Sequence, residues 1–363
     1  MAIKRFGYGS AVNGRKLAEG CKHCMEGSKM VLLITGRCST GCFYCPLSAE
    51  KKGKDVIYAN ERMVSCLEEI VAEAEAMDAT GTGITGGDPL SVMERTVAAV
   101  SLLKQRFGKR HHIHLYTSEI DPEKAAILRE AGLDEIRFHP HPDMWERMDE
   151  TRLAEVVAIP GLTVGIEVPA IPGLGSALDA LVKHSVGAGV AFVNINELEF
   201  SEGNWDMMER QGYLMKGELS SSVSGSEELA LGVMAANRKA PVHFCSSAFK
   251  DGVQLRKRLV RRARRIAEAY DVVTEDGTLI RGVILADDPQ AAIRMLAEEH
   301  DVPSRLMHAR VGAGRVEIAP WILEDLADDL PFECYLSEEY ASADRLEVER
   351  VPVGRRPPGT AEK

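Results

Sequence analysis

The sequence predicts an α/β chain, with parallel strands under helical crossovers followed by a smaller α+β module. Three observations carry this prediction. Six β-type runs alternate with helical patterns between residue 30 and about residue 200, and the connections are short, as right-handed βαβ units require. From about residue 271 that rhythm stops. The length, 363 residues, exceeds what one small core accommodates. A closed or partial (β/α) barrel and an open doubly wound sheet satisfy the pattern equally at this point.

The elements run in order from the N-terminus. An N-terminal arm, 1–29, carries Cys21-x2-Cys24. "MVLLIT" (30–35) reads as a buried strand and leads into a cysteine-rich loop, then a helix through "ERMVSCLEEIVAEAEAM". "GTGIT" (81–85) is strand-like and runs into "GGDP", with a helix from about Leu90 to Arg106. "HIHLYT" (112–117) precedes a helix from Pro122 to Ala131, and "DEIRFH", "LTVGIEVPA" and "AFVNINE" supply three more strands. Residues 201–225, rich in serine, glycine and methionine, suggest a mobile lid or a surface insertion. "PVHFCS" (241–246) resembles one more short strand, so the core is placed at 30–270. "TLIRGVIL", "SRLMHA", "RVEIAP", "ECYLS" and "RLEVERV", with two helices, form the α+β module at 271–353, and 354–363 is expected to be a disordered tail.

Composition narrows the function classes. Net charge is −11, which gives no global signal for nucleic acid or an anionic membrane. The N-terminus lacks the apolar core of a signal peptide, and the most apolar region, 154–183, is broken by Glu167, prolines and Asp179. The expected location is cytoplasmic, without a membrane partner. In that compartment, eight cysteines of which five fall between 21 and 45 indicate metal or redox chemistry more than disulfides. Cys66, inside a helical pattern, reads as a small buried hydrophobe.

The sharpest signal is "RCSTGCFYC": Cys38-x3-Cys42-x2-Cys45. Thiolates at this spacing converge on one small centre and suit iron–sulfur clusters or zinc. A closed structural site takes four protein ligands, whereas three local thiols suggest a four-iron cluster with one iron left open. The bland alternative is a structural zinc or electron-transfer centre completed by a distant cysteine.

This spacing, with Tyr44 before the last cysteine and the loop directly after the first strand, resembles the radical S-adenosylmethionine (radical SAM) superfamily over residues 30 to about 200. The stretch "GCKHCMEGSKMVLLITGRCSTGCFYCPLS…VIYANER" resembles a mainly archaeal group related to pyruvate formate-lyase activating enzymes. The resemblance implies a partial (β/α)6 TIM-like barrel, a 4Fe–4S cluster on Cys38, Cys42 and Cys45, and SAM chelated to the free iron. It also implies an oxidoreductase-type activity, in which reductive cleavage of SAM yields a 5′-deoxyadenosyl radical that takes hydrogen from a substrate. An electron donor such as a ferredoxin or flavodoxin is implied as partner.

The same resemblance assigns further cofactor-binding positions. Gly86, Gly87 and Asp88 stand where the superfamily has its GGE motif, whose backbone holds the SAM amino group. Thr117 and Ser118 end the third strand, Arg137 lies on the fourth, and Glu167 could accept from ribose hydroxyls. Asn194 and Asn196 lie near the end of the sixth strand. No residue is singled out as catalytic.

Two features lie outside this set. Cys21 and Cys24, with Cys245, form a candidate auxiliary site for a second iron–sulfur cluster; pairing with Cys334 or His243 around zinc is the alternative. "LRKRLVRRARRIA" (255–267) is either an outer helix or a phosphate-binding face for nucleic acid. Two classes of function remain. One is a radical SAM enzyme of activase or modification type, acting on a protein, an RNA or a metabolite. The other is a non-catalytic iron–sulfur or zinc protein that binds nucleic acid through its basic helix.

Overall fold

A computed structural model describes residues 3–13 and 17–354; residues 355–363 of the expected tail lie outside them. The chain divides into two compact units, one running up to Glu75 and over Ala79–Leu255, the other Ala76–Asp78 with the chain from Arg256 onward. The sequence places this boundary near residue 270. By contacts, the basic stretch from Arg256 folds with the second unit.

In the first unit seven strands run parallel: β1 (Lys29–Leu33), β2 (Gly81–Thr85), β3 (His112–Thr117), β4 (Glu135–Phe138), β5 (Thr163–Ala170), β6 (Phe192–Glu197) and β7 (Val242–Cys245). Each pairs with the next in chain order. A doubly wound sheet reverses strand order at a switch point, and this one never reverses. Its edges are covered by antiparallel strands, Ala11–Val12 on β7 and Ile57–Ala59 on β1, so the sheet has two ends and the barrel is partial.

Strand alternation explains what the barrel encloses. Side chains of a strand point alternately to its two faces. One face of β3 to β7 carries Ile113, Leu115, Ile136, Phe138, Ile166, Val168, Val193, Ile195, Val242 and Phe244, all buried. The other carries His112, His114 and Tyr116, then Glu135, Arg137 and His139, then Glu167, Asn194, Asn196, His243 and Cys245. The barrel interior is therefore polar.

Three local expectations are corrected. Residues 57–64 form a hairpin, Ile57–Ala59 with Arg62–Val64, and the helix starts only at Leu67. Cys66 precedes that helix and is exposed, not a buried hydrophobe. Residues 201–225 are not irregular: they form a helix, Trp205–Arg210, and a second hairpin, Met215–Gly217 with Ser220–Val223.

The second unit is an antiparallel sheet of β8 (Thr278–Leu285), β9 (Met307–Arg310), β10 (Arg315–Ile318), β11 (Glu333–Tyr340) and β12 (Glu347–Val353), ordered β9-β10-β8-β11-β12, with Val272–Val273 also on β8. Ile284, Leu296, Val316, Ile318, Leu323 and Cys334 form its core. Beside Val283, which pairs with Glu317 across the ladder, the opposite face buries ions: Arg281 pairs with Asp271 and Glu317, each at 2.9 Å. Among the described residues no helix is long and apolar enough to cross a membrane.

Candidate functional site

The cysteine loop leaves β1 and is held by backbone before any side chain contributes. Gly36 N–H donates to Lys54 O at 2.8 Å, and Gly53 N–H returns to Gly36 O at 2.8 Å. A Cβ on Gly36 would lie 1.7 Å from Lys51 O, so only glycine permits this turn. Asp55 receives Thr35 Oγ1 at 3.0 Å and both Arg95 nitrogens at 2.7 and 3.0 Å, which anchors the far side.

Gly86 and Gly87 are explained by the same loop. A Cβ on Gly86 would come within 2.4 Å of Thr35 O, and one on Gly87 within 2.1 Å of Arg37 O. Gly87 N–H and Asp88 N–H donate to those carbonyls at 2.7 Å each. Neither glycine has positive φ; close backbone approach, not unusual φ, is what requires them. The Asp88 side chain, whose role the sequence left open, is a brace. Its Oδ1 accepts from Leu90 N–H (3.0 Å) and Thr117 Oγ1 (2.8 Å), and its Oδ2 from Ser118 N–H (2.9 Å) and Ser118 Oγ (2.6 Å). Ser118 Oγ then meets Thr40 Oγ1 at 3.1 Å, and Thr40 Oγ1 meets Cys38 Sγ at 3.1 Å. The end of β3 and the first cysteine are thereby linked.

These parts surround a cavity of about 580 Å³ whose lining includes Cys38, Cys42, Cys45, Gly86, Ser118 and Asn196. Among the described residues no fourth cysteine lines it. Nor do any three of their His, Cys, Asp or Glu side chains converge tightly enough for a single metal ion. Three thiols around a roomy cavity fit the donor set of a cluster with an open iron better than a closed zinc site. Burial is the main cause raising the Cys42 thiol.

Behind the loop, Tyr44 donates its hydroxyl to His139 Nε2 at 3.1 Å, and His139 Nδ1 meets the Glu167 carbonyl at 2.7 Å. The carbonyl only accepts, so the imidazole carries its proton on Nδ1. Burial lowers the His139 pKa and raises that of Tyr44, so both are neutral. His139, which "IRFHP" offers with Arg137 on the fourth strand, lines the cavity; so does Tyr116, which was not singled out and which the inward polar alternation of β3 is the signal to find.

Glu167 differs from expectation. Burial pushes its pKa up, but the Arg137 charge and the Asn196 and Asn194 amides outweigh this and hold it down at about 2. Its Oε2 takes Arg137 Nη1 (2.6 Å) and Asn194 Nδ2 (2.9 Å), and its Oε1 takes Asn196 Nδ2 (3.0 Å). Both oxygens thus have internal donors, so a ribose would have to share them. Arg137, buried between Glu135 and Glu167, organises the barrel interior and does not line the first cavity. Asn194 does not line that cavity either. It lines a second one of about 180 Å³ with Cys21, Cys24, Cys245 and His243, and Tyr116, Glu167 and Asn196 form a wall common to both. Cys334 is buried in the core of the second unit.

The 201–225 segment packs on the cysteine loop. Asn204 Nδ2 donates to Tyr44 O at 3.1 Å, Tyr213 stacks on Phe43 at 5.7 Å, and a Cβ on Gly203 would lie 2.0 Å from Leu47 O. It is a buttress as built, with Trp205, Leu214 and Leu219 exposed. In the basic helix, Arg256–Ile266, Arg261 pairs with Asp78, Arg256 with Asp276, and Arg262 is buried against Ala341 O. Arg256 and Arg261 are thus paired with carboxylates, while Arg264 and Arg265 are exposed.

The chain is similar to several known proteins. Residues 32–143 match the radical SAM superfamily, and residues 277–353 match a domain of unknown function (DUF8061). A relative from Methanocaldococcus jannaschii, "Putative glycyl-radical enzyme activating enzyme", is 40% identical over 359 residues, 94% of each chain. Methylornithine synthase (PylB) aligns with a TM-score of 0.39 and 13% identity, covering 63% of this chain and 72% of that one. The FeFe-hydrogenase maturase HydG from Carboxydothermus hydrogenoformans gives 0.36 and 13%, covering 66% and 73%.

Proposed function

The chain belongs to the radical SAM superfamily, in the group related to glycyl-radical enzyme activating enzymes, and on that premise we propose that its 580 Å³ cavity is where SAM is cleaved and that the hydrogen is taken from a polypeptide. When bound, the 4Fe–4S cluster and SAM supply one-electron cleavage of the sulfonium and a 5′-deoxyadenosyl radical. The observation that carries the reading is the open three-thiol set on a cavity braced through Asp88.

The residues divide the work by donor chemistry. Cys38, Cys42 and Cys45 would hold the cluster by three of its irons and leave the fourth for the ligand. The Gly87 and Asp88 N–H groups are committed to the cysteine loop, so what the turn offers a ligand is carbonyl oxygen, the acceptor an amino group needs. Thr117 and Ser118 donate their hydroxyl protons to Asp88; Thr117 Oγ1 also accepts from Glu119 N–H and Ser118 Oγ from Thr40, so each keeps one lone pair for a ligand donor. Asn196 spends its amide on Glu167 and keeps its carbonyl oxygen for ligand hydroxyls. The neutral Tyr44–His139 pair adds no charge behind the cluster loop.

A polypeptide substrate is favoured by the name of the relative and by the exposed apolar side chains on the segment that buttresses the cysteine loop. Anaerobically reconstituted protein with dithionite and SAM should release 5′-deoxyadenosine, and Cys38→Ala, Cys42→Ala or Cys45→Ala should each bring release to background. Retained turnover in these variants would refute the cluster assignment. With cell extract grown on deuterated nutrients, label should enter 5′-deoxyadenosine from the macromolecular fraction and disappear after protease treatment. Label arriving from the small-molecule fraction, or surviving protease, removes the polypeptide reading.

A further inference from the structure

The smaller cavity has the composition of a site and not of a packing defect. Cys21 and Cys24 reach it from one turn of the helix Glu19–Glu26, and Cys245 from the last residue of β7. More than two hundred residues separate them along the chain, yet the fold joins them by an explicit device. Ala11–Val12 pairs antiparallel with His243 and Phe244, which fixes the N-terminal arm to the strand that carries Cys245. A void in a core meant only to be packed is apolar and stays dry; this one is lined by thiols, an amide, an imidazole and cations.

Three details point to a bound group at the sulfurs. Arg137 Nη2 and Asn194 Nδ2 already donate toward Cys21 Sγ, at 3.5 and 3.2 Å, and N–H···S contacts of this kind support metal-bound thiolate. Lys29 lines the cavity with Cys24, its Nζ 3.5 Å from His114 Nε2, and among the described residues no carboxylate lies within ion-pair distance of it. His243, 6% exposed, keeps Nε2 without a hydrogen-bond partner among the described residues. A buried donor or acceptor left in that state is normally paired with something.

We propose that Cys21, Cys24 and Cys245 hold a second iron–sulfur cluster in this cavity. Zinc would draw its sulfurs to about 2.3 Å from a single point, and no three potential ligands among the described residues converge that closely. A cluster spreads its thiolates over several irons and does not need them to meet at one point. On ligation each thiol gives its proton to solvent and its sulfur binds iron, with no change in electron count. The inference does not rest on the reading of the first cavity.

The test uses the full chain with Cys38, Cys42 and Cys45 all replaced by alanine, reconstituted anaerobically with ferric iron, sulfide and dithiothreitol, whose oxidation supplies the two electrons that bring a four-iron cluster to its mixed-valent state. About four irons and four sulfides per chain, with the Mössbauer signature of a cluster, are expected in it, against about eight irons in the wild type. Replacing Cys21, Cys24 and Cys245 by serine should remove about half of the wild-type iron. The proposal is overturned if the alanine variant holds no iron, a single iron or only zinc. It is also overturned if the serine variant keeps the wild-type iron content. Failure of SAM cleavage alters neither readout, so the two readings fail separately.

Discussion

At Asp88 a single carboxylate accepts from two backbone amides and two hydroxyls, and the four donors belong to segments about thirty residues apart. Its oxygens are filled, so the residue acts through what it positions: Thr117, Ser118 and, through Thr40, the first cysteine. Asp88→Ala leaves buried donors unpaired, at a cost of about 3 kcal/mol. We expect a lower unfolding midpoint and SAM binding weakened by about tenfold or more, with iron content held near wild type because the three thiols remain. Equilibrium titration with SAM and iron analysis of the same preparation check this together. Unchanged SAM affinity would show that the brace does not reach the ligand. A motif comparison sees only that aspartate stands where glutamate is usual; the partners that give it a role come from another strand.

Among the elements, the 201–225 segment changes most between sequence and structure. Its composition reads as loop because serine and glycine disfavour both regular periods, yet Gly203 and Asn204 are there to meet the Leu47 and Tyr44 carbonyls. Gly203→Ala would place a methyl group into the Leu47 carbonyl oxygen, a clash that backbone must absorb at about 2 kcal/mol. The expected consequence is a looser cysteine loop, seen as faster loss of iron to a chelator in the Cys21→Ser, Cys24→Ser, Cys245→Ser background, where only the first cluster remains. A lid that merely covers substrate would leave that rate unchanged. The hairpin at 57–64 was hidden for a different reason. "ERMVSCLEEI" shares the helical period of Leu67–Ala76, and only pairing with Ile57–Ala59, itself laddered onto β1, turns its first half into strand.

The whole chain was legible wherever the signal is local. Parallel strands announce themselves as apolar runs between turn residues, and the second unit as a change of rhythm. The loop thiols are adjacent in sequence. What spacing cannot express is convergence: Cys21 with Cys245, or Arg137 with Glu167, meet only because the strands follow one another in order. Each unit buries ions in this way. In the second, burial pushes the Glu317 carboxyl up, but Arg281, Arg310 and Arg315 overcome this and hold its pKa at about 2. A carboxyl with an unfolded value of 4.5 and a folded value of about 2 stabilises the fold by about 3 kcal/mol at neutral pH. Because its folded value is depressed, that contribution is complete above pH 4.5 and is lost as pH falls toward 2. Glu317→Gln keeps the shape and removes the charge, leaving three guanidinium groups short of a partner. Hydrogen exchange at pH 7 should show β8 and β10 amides exchanging about a hundredfold faster in this variant. After correction for intrinsic rates, the gap should narrow steadily between pH 4.5 and pH 2.5, because the wild type loses the same charge there by protonation. A gap that persists undiminished in acid would mean that Glu317 stabilises the sheet through packing and not through its charge.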